Sequence, residues 1–351
     1  MAETGSPKLI RLLQNQEPLI MRCLVSIPPV LRGVPFGGSD PASLQQRLIR
    51  SWMDAGFAVV SLNTASELKA HPNHQECLAQ IGVDVQVVPS SGGDYPTYLP
   101  NLRESLQLVA QRYPGEVLAI TNADIHIALD FTSQQRLAGL RPEEFLLAHR
   151  TDVEDNSCLN LLLAERRDQQ LHVPFLPGID FIAARAETFQ RASPFLSPDL
   201  TIGLPWWDLL LPMALMAAGA TRTFLASDQF LHIKHQERWD PRWLDQVGSS
   251  ATRYLHRQIK AFKAPASAYV WSLAYSKLTS PLQSPSVYKS RLITHVEHIK
   301  QRRRCPASLM DTLRLTEALV CEQGWDLDKR WIGSWYQGHS LGLGSIARHA
   351  H

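Results

Sequence analysis

The chain has 351 residues, 44% hydrophobic and 19% charged, with a formal net charge of +2. That length exceeds one compact core and predicts a large domain with a smaller appendage, while the near-neutral charge argues against a dedicated nucleic-acid binder. The five cysteines (Cys23, Cys77, Cys158, Cys305 and Cys321) are odd in number and never form C-x-x-C, which favours reduced thiols over a disulfide framework or zinc knuckle.

Residues 1–16 lack the unbroken apolar stretch of a signal peptide. The most apolar run, 209–220, is interrupted by Pro212 and is shorter than the roughly 20 residues a bilayer needs. The expectation is a cytoplasmic protein.

In chain order, Leu19–Ile27 reads as a first strand closed by Pro28 and Pro29, followed by a Gly-rich loop, 33–38. Residues 43–55 place Leu44, Leu48, Ile49 and Trp52 on one helical face, with Gly56 as the stop. Phe57–Asn63 and Val83–Val88 read as the next strands, 102–113 as an amphipathic helix, and Glu116–Asn122 as a fourth strand. Strands alternating with helices predict a parallel α/β sheet. Further strands are expected over Phe145–Arg150, Ile179–Ala184 and Phe224–Ile233, with a buried helix over Trp206–Ala218. Beyond Asp240 strand signals stop, which divides the chain into 1–240 and a helical region, 241–351.

Three segments carry residues suited to chemistry. Asn122-Ala123-Asp124-Ile125-His126 follows an apolar strand, where open α/β sheets gather ligands. A carboxylate there suits Mg²⁺ or Mn²⁺ on a diphosphate; the alternative is a plain turn cap. His232 and His235 lie three apart and converge on a metal only if the chain turns; otherwise one is a core histidine and the other solvated. Trp206-Trp207-Asp208 opens the apolar helix. An acid in a first helical turn is favoured by the dipole alone, but aromatic faces beside a carboxylate also fit a sugar site, with packing the role of at least one tryptophan.

Taken in order, these pieces resemble bacterial GT-A-type nucleotide-diphosphosugar glycosyltransferases. The resemblance runs through Ile27-Pro28-Pro29; Gln46, Arg47, Ser51 and Trp52; Ser61-Leu62-Asn63 with Glu67; Asn122-Ala-Asp124-Ile125; Gly178-Ile-Asp180-Phe181; Gly203-Leu-Pro205-Trp-Trp207-Asp208; and His232 with His235. It spans about residues 20–240, and Asn122 stands where the fuller Asp-x-Asp pattern has its first carboxylate. The resemblance implies a GT-A (Rossmann-like) α/β domain with a C-terminal helical appendage, transferring sugar from a nucleotide-sugar donor to a glycan or lipid-linked acceptor.

It also implies site roles. Ile27, Pro28, Asn63, Asn122 and Asp124 would hold the donor, and Asp124, His232 and His235 a divalent cation. Asp208 and Asp180 would face the acceptor, with Asp208 preferred as base if transfer inverts, while retention would need no such base. Two other classes stay open: a catalytically inactive GT-A-fold scaffold and a nucleotidyltransferase, which would show a Gly-rich basic loop after the first strand. Basic residues after 240, among them Arg253, Arg257, Lys260 and Lys263, read either as a solvated helix face or as a peripheral contact with an anionic membrane.

Overall fold

The computed structural model describes residues 20–29, 40–92, 96, 98–153, 174–175, 179–204 and 206–233. It also describes 247, 250, 251, 253–255, 257–259 and 261–263. Strand β1 (Met21–Val25) leads into helix α1 (Pro41–Asp54), then β2 (Ala58–Thr64), α2 (Ala65–Ala70), α3 (His74–Gln80) and β3 (Asp84–Val88). Helix α4 (Leu102–Arg112), β4 (Val117–Thr121), β5 (Ile125–Ile127), α5 (Phe131–Ala138), β6 (Glu144–Ala148) and β7 (Arg150–Val153) follow. The rest comprises β8 (Pro174–Phe175), β9 (Phe181–Arg185), α6 (Ala186–Ala192), α7 (Trp207–Ala217), β10 (Thr221–Phe224) and β11 (Phe230–Ile233).

Local chemistry sets the boundaries. Helix α1 starts because the Asp40 carboxylate accepts from Ser43 N–H at 2.9 Å and Pro41 needs no amide partner in the first turn. It stops at Gly56, whose φ of +92° would strain a residue with a Cβ.

Among the described residues a seven-stranded sheet runs in the order β10-β6-β9-β4-β1-β2-β3. Strands β1, β2, β3 and β4 are mutually parallel, β10 is parallel to β6, and β9 is antiparallel to both β4 and β6. This order, with one reversed strand inside a doubly wound sheet, is the Rossmann-like GT-A arrangement expected. Alternation divides each strand between two cores: Leu24 joins α4, α6 and α7 on one face, while Cys23 and Val25 join α1 on the other.

A second sheet, β5-β11-β7-β8, corrects two expectations. Residues 145–150 form no single strand, because the chain leaves the large sheet after Ala148 and enters the small one at Arg150. Likewise 224–233 breaks at the 3₁₀ turn Ser227–Gln229, so β10 and β11 lie in different sheets. Neither segment carries a Gly or Pro to mark the break, and periodicity alone does not reveal a change of sheet.

Helix α1 is fastened to β5 through side chains. Trp52 Nε1 donates to Ile125 O at 2.7 Å, and Ser51 Oγ accepts from Ile127 N at 3.1 Å.

The expected division near residue 240 falls outside the described residues, as does most of the region after it. The described helical residues around 247–261 turn Val247, Ala251, Leu255 and Ile259 into the core shared with α4 and α7, each at most 1% exposed. No helix among the described residues is long and apolar enough to cross a membrane.

Candidate functional site

In the large sheet the strand order reverses between β1 and β4, and crevices outside carboxyl ends at such a point are where open α/β sheets bind ligands. Ile27 and Pro28 follow β1 there, Asn63 is the next-to-last residue of β2, and Asn122 and Asp124 follow β4.

A buried polar network braces the β1 side. Ile27 O accepts from Asn63 Nδ2 at 2.9 Å and faces His74 Nε2 at 3.0 Å. Ile27 N donates to Ser61 Oγ, Ser61 Oγ donates to Asn63 Oδ1, and Asn63 Nδ2 also reaches Glu67 at 2.8 Å. Pro28 O accepts from Gln45 at 2.6 Å. Asn63 is fully buried and its amide is engaged on both ends, so in this structure it fixes the Ile27–Pro28 turn and presents no free group to a ligand. The Gly-rich loop 33–38 lies outside the described residues.

On the β4 side an ionic cluster forms where the two sheets meet. In the parallel pairing of β7 with β11, Asp152 and His232 are register partners and their side chains meet. His232 Nδ1 donates to Asp152 Oδ1 at 2.9 Å, and its Nε2 lies 3.5 Å from Asp124 Oδ2. Arg150 Nε donates to the same Asp152 oxygen at 2.8 Å, and Arg150 Nη1 lies 3.4 Å from Asp180 Oδ1. Asn122 Nδ2 donates to that Asp180 oxygen at 2.6 Å. Asp180 Oδ2 is buried with no hydrogen-bond partner among the described residues.

Burial works against every charge here, and the neighbours decide the outcome. Burial alone would strip the His232 proton, but Asp124 and Asp152 outweigh it and push the imidazole up to about 9. Asp152 is disfavoured by burial yet held below the ordinary carboxylate range by the His232 hydrogen bond and Arg150. Arg150 stays firmly protonated because Asp180, Asp152 and Asp124 surround it. Burial raises Asp180, with Arg150 opposing and Asp124 adding to the rise.

Asp208 sits in the first turn of α7, and burial, then the charge of Asp180, raise it to about 7. Trp207 is buried in the core, whereas Trp206 is half-buried and holds a left-handed backbone at φ +84°. That conformation strains any residue with a Cβ, and such strain gathers at functional sites.

The structure thus brings Asn122, Asp124, Asp180 and His232 into one cluster, with Asp208 close enough to feel Asp180. His235, Gly178 and Pro205 lie outside the described residues. Sequence reading missed Asp152; its signal was the alternation Arg150-Thr151-Asp152, which puts two charged groups on one face of a strand. The geometry also accounts for Asn122 in place of a first carboxylate. Its amide donates to a buried, charge-crowded Asp180, and an Asp there would add a like charge.

Among the described residues no group of three or more His, Cys, Asp or Glu is arranged to hold a metal ion. Asp124 and His232 offer two converging donors, and Asp152 fixes the tautomer that leaves Nε2 facing Asp124. This fits a two-ligand site completed by a diphosphate, not an all-protein cage.

No protein-family model matches the chain, and no curated protein matches it. Among solved structures it is similar to a mannosyltransferase from Pyrobaculum calidifontis in complex with GDP-Man and Mn²⁺, at TM-score 0.41 and 13% identity, covering 89% of this chain and 88% of that one. It is also similar to a nucleotide-diphospho-sugar transferase from Desulfovibrio desulfuricans, at TM-score 0.35 and 13% identity over 69% and 95% of the two chains. A nucleotidyl transferase from Methanothermobacter aligns at TM-score 0.33 and 13% identity over 63% and 89%. The fold class rests on the strand order, not on these values.

Proposed function

We propose that the protein is a glycosyltransferase that moves a sugar from a nucleotide-diphosphosugar to a hydroxyl acceptor. The observation that carries this reading is the line Asp152–His232–Asp124 beside Arg150 and Asp180, at the crevice where the sheet order reverses. Four carboxylates (Asp124, Asp152, Asp180 and Asp208) face one guanidinium and one imidazole, a balance that receives a cation.

The turn at Ile27 and Pro28 supports the donor nucleotide from the β1 side, with Asn63 positioning that turn. Asp124 and His232 would hold Mn²⁺ or Mg²⁺, which supplies Lewis-acid neutralisation of the diphosphate leaving group. Arg150 holds Asp152 and Asp180 in place. Asp208 is the base: a carboxyl near 7 in a helix first turn removes a proton at neutral pH, and transfer inverts the anomeric centre. Trp206 offers its face to the acceptor sugar, while Trp207 packs. The acceptor is a glycan or lipid-linked species, reached at an anionic membrane through the basic face carrying Arg253 and Arg257.

The test is thermal shift with UDP, GDP, CMP and dTDP sugars and Mn²⁺, followed by turnover of the donor that binds. One donor stabilises the chain by about 2.7 kcal/mol at a hundredfold excess over its Kd, and Asp124→Ala abolishes transfer while keeping the fold. Near wild-type turnover in Asp124→Ala, or full activity in EDTA, overturns the metal-assisted reading. Release of pyrophosphate from a nucleoside triphosphate and a sugar 1-phosphate, with no glycoside formed from any nucleotide sugar, would make the protein a nucleotidyltransferase.

A further inference from the structure

Helix α1 and β5 enclose a second feature that sugar transfer does not use. Between them lies a cavity of about 590 Å³, lined on the helix side by Ser43, Arg47, Arg50 and Asp54 and on the strand side by His126 and Leu129. Positions 43, 47, 50 and 54 follow helical spacing, so these side chains form one stripe along the groove. Arg47 and Arg50 are one turn apart, which brings two guanidinium forks to the same wall.

Asp54 is the acidic residue among those lining the groove, at the end away from Ser43. Arg50 is exposed and makes no ion pair among the described residues. Arg47 is partly withdrawn from water, which disfavours its charge. His126 completes the wall at 8% exposure, and its Nδ1 is buried with no hydrogen-bond partner among the described residues.

A solvated helix face accounts for Arg50 alone. It does not account for a buried imidazole with an unmet polar atom, a partly desolvated guanidinium and a hollow between them. Burying the imidazole costs free energy unless something polar meets its open nitrogen. Paired guanidinium forks match the oxygens of a phosphate in a way that point charges do not. The hollow lies within the range of small-molecule sites, roughly 300–1,000 Å³, and exceeds what a lone phosphate fills.

We propose that the groove between α1 and β5 binds a phosphate-bearing small molecule, its phosphate held by Arg47 and Arg50 against the His126 wall. The site does not depend on the glycosyltransferase reading, since its residues are separate from Asp124, Asp152, Asp180 and Asp208. It does share β5 with that cluster: Trp52 and Ser51 of the same helix grip β5 one residue on either side of His126.

The test follows thermal unfolding of the full chain against inorganic pyrophosphate, in EDTA so that no divalent cation recruits it elsewhere. Wild type and Asp124→Asn both show a saturable rise in Tm. In Arg50→Gln and Arg47→Gln the midpoint weakens at least roughly tenfold, as for loss of one charge-assisted hydrogen bond. Arg50 is exposed, so Arg50→Gln keeps the test sound if Arg47→Gln folds poorly. No rise in wild type, or a rise undiminished in Arg50→Gln, overturns the proposal; loss in Asp124→Asn alone assigns the binding to the donor crevice and overturns it too. A second arm uses phosphatidylcholine vesicles with and without phosphatidic acid. Arg50-dependent binding that pyrophosphate competes assigns the phosphate to a lipid headgroup, and pyrophosphate binding without vesicle binding assigns it to a soluble ligand.

Discussion

At the residue scale, the cluster derives its properties from burial set against close opposite charge. Asp208 prefers its proton in the folded chain, so the folded state binds more protons than the unfolded one between the ordinary carboxylate range and about pH 7. The stability it contributes is therefore greatest in acid and is withdrawn as pH rises through that window. Asp208→Asn is expected to raise Tm at pH 8 and to lower turnover by about 10²–10⁴-fold, checked by calorimetry and steady-state kinetics on the same samples. In the wild type, kcat/KM falls as pH drops below about 7.

His232 poses the complementary case. A cation must displace a proton held up to about 9, so Mn²⁺ affinity measured by calorimetry rises with pH. Asp152→Asn weakens that affinity by about 10–100-fold, because Asp152 aims the ring without touching the ion. An unchanged affinity would reduce Asp152 to a structural partner of Arg150. At Trp206, replacement by glycine relieves a left-handed backbone that costs about 1–2 kcal/mol. The ring also packs against the main core, and losing such burial costs about 1.5–3 kcal/mol, so Trp206→Gly should show no net gain in urea titrations and should raise KM for the acceptor.

At the scale of elements, β5 is the part that joins the sites. It leaves the β4 end just after Asp124, pairs with β11 beside His232, and is held by two hydrogen bonds from α1. Trp52→Phe leaves Ile125 O unmet inside the protein, at a cost of about 1–3 kcal/mol, and the smaller ring adds a cavity at a fully buried position. Denaturant unfolding reads that loss directly. If β5 positions Asp124, turnover falls beyond what the stability change explains; turnover unaltered at full folding would limit the Trp52 hydrogen bond to stability.

At the scale of the whole molecule, the helical residues after 240 contribute to the main core. Leu255→Ala is expected to cost about 2–5 kcal/mol, as for other large-to-small changes at buried positions, measured by urea unfolding of the whole chain. Arg253 and Arg257 of the same stretch are exposed. Reversing both to Glu reduces co-sedimentation with anionic liposomes at low salt if that face rests on a membrane. Equal sedimentation of both chains would leave these arginines as a solvated surface.

The sequence by itself determined the α/β class, the positions of the first four strands along the chain and the strand-end position of Asn122 and Asp124, while the order of those strands in the sheet came from the structure. Alternation of period two with helical spacing is local and survives in one dimension, as do caps such as Asp40 and stops such as Gly56. The tertiary structure alone decided that 145–153 and 221–233 each change sheets, because neither stretch carries a Gly or Pro break and strand-forming residues are compatible with pairing in either sheet. It alone brought Asp152 to His232, 80 residues apart, since cross-strand register depends on which strands become neighbours. It also turned Asn63 inward onto the Ile27 turn and gave Asn122 the buried Asp180 as partner. Those roles follow from charge and burial, which the fold creates and no local spacing encodes.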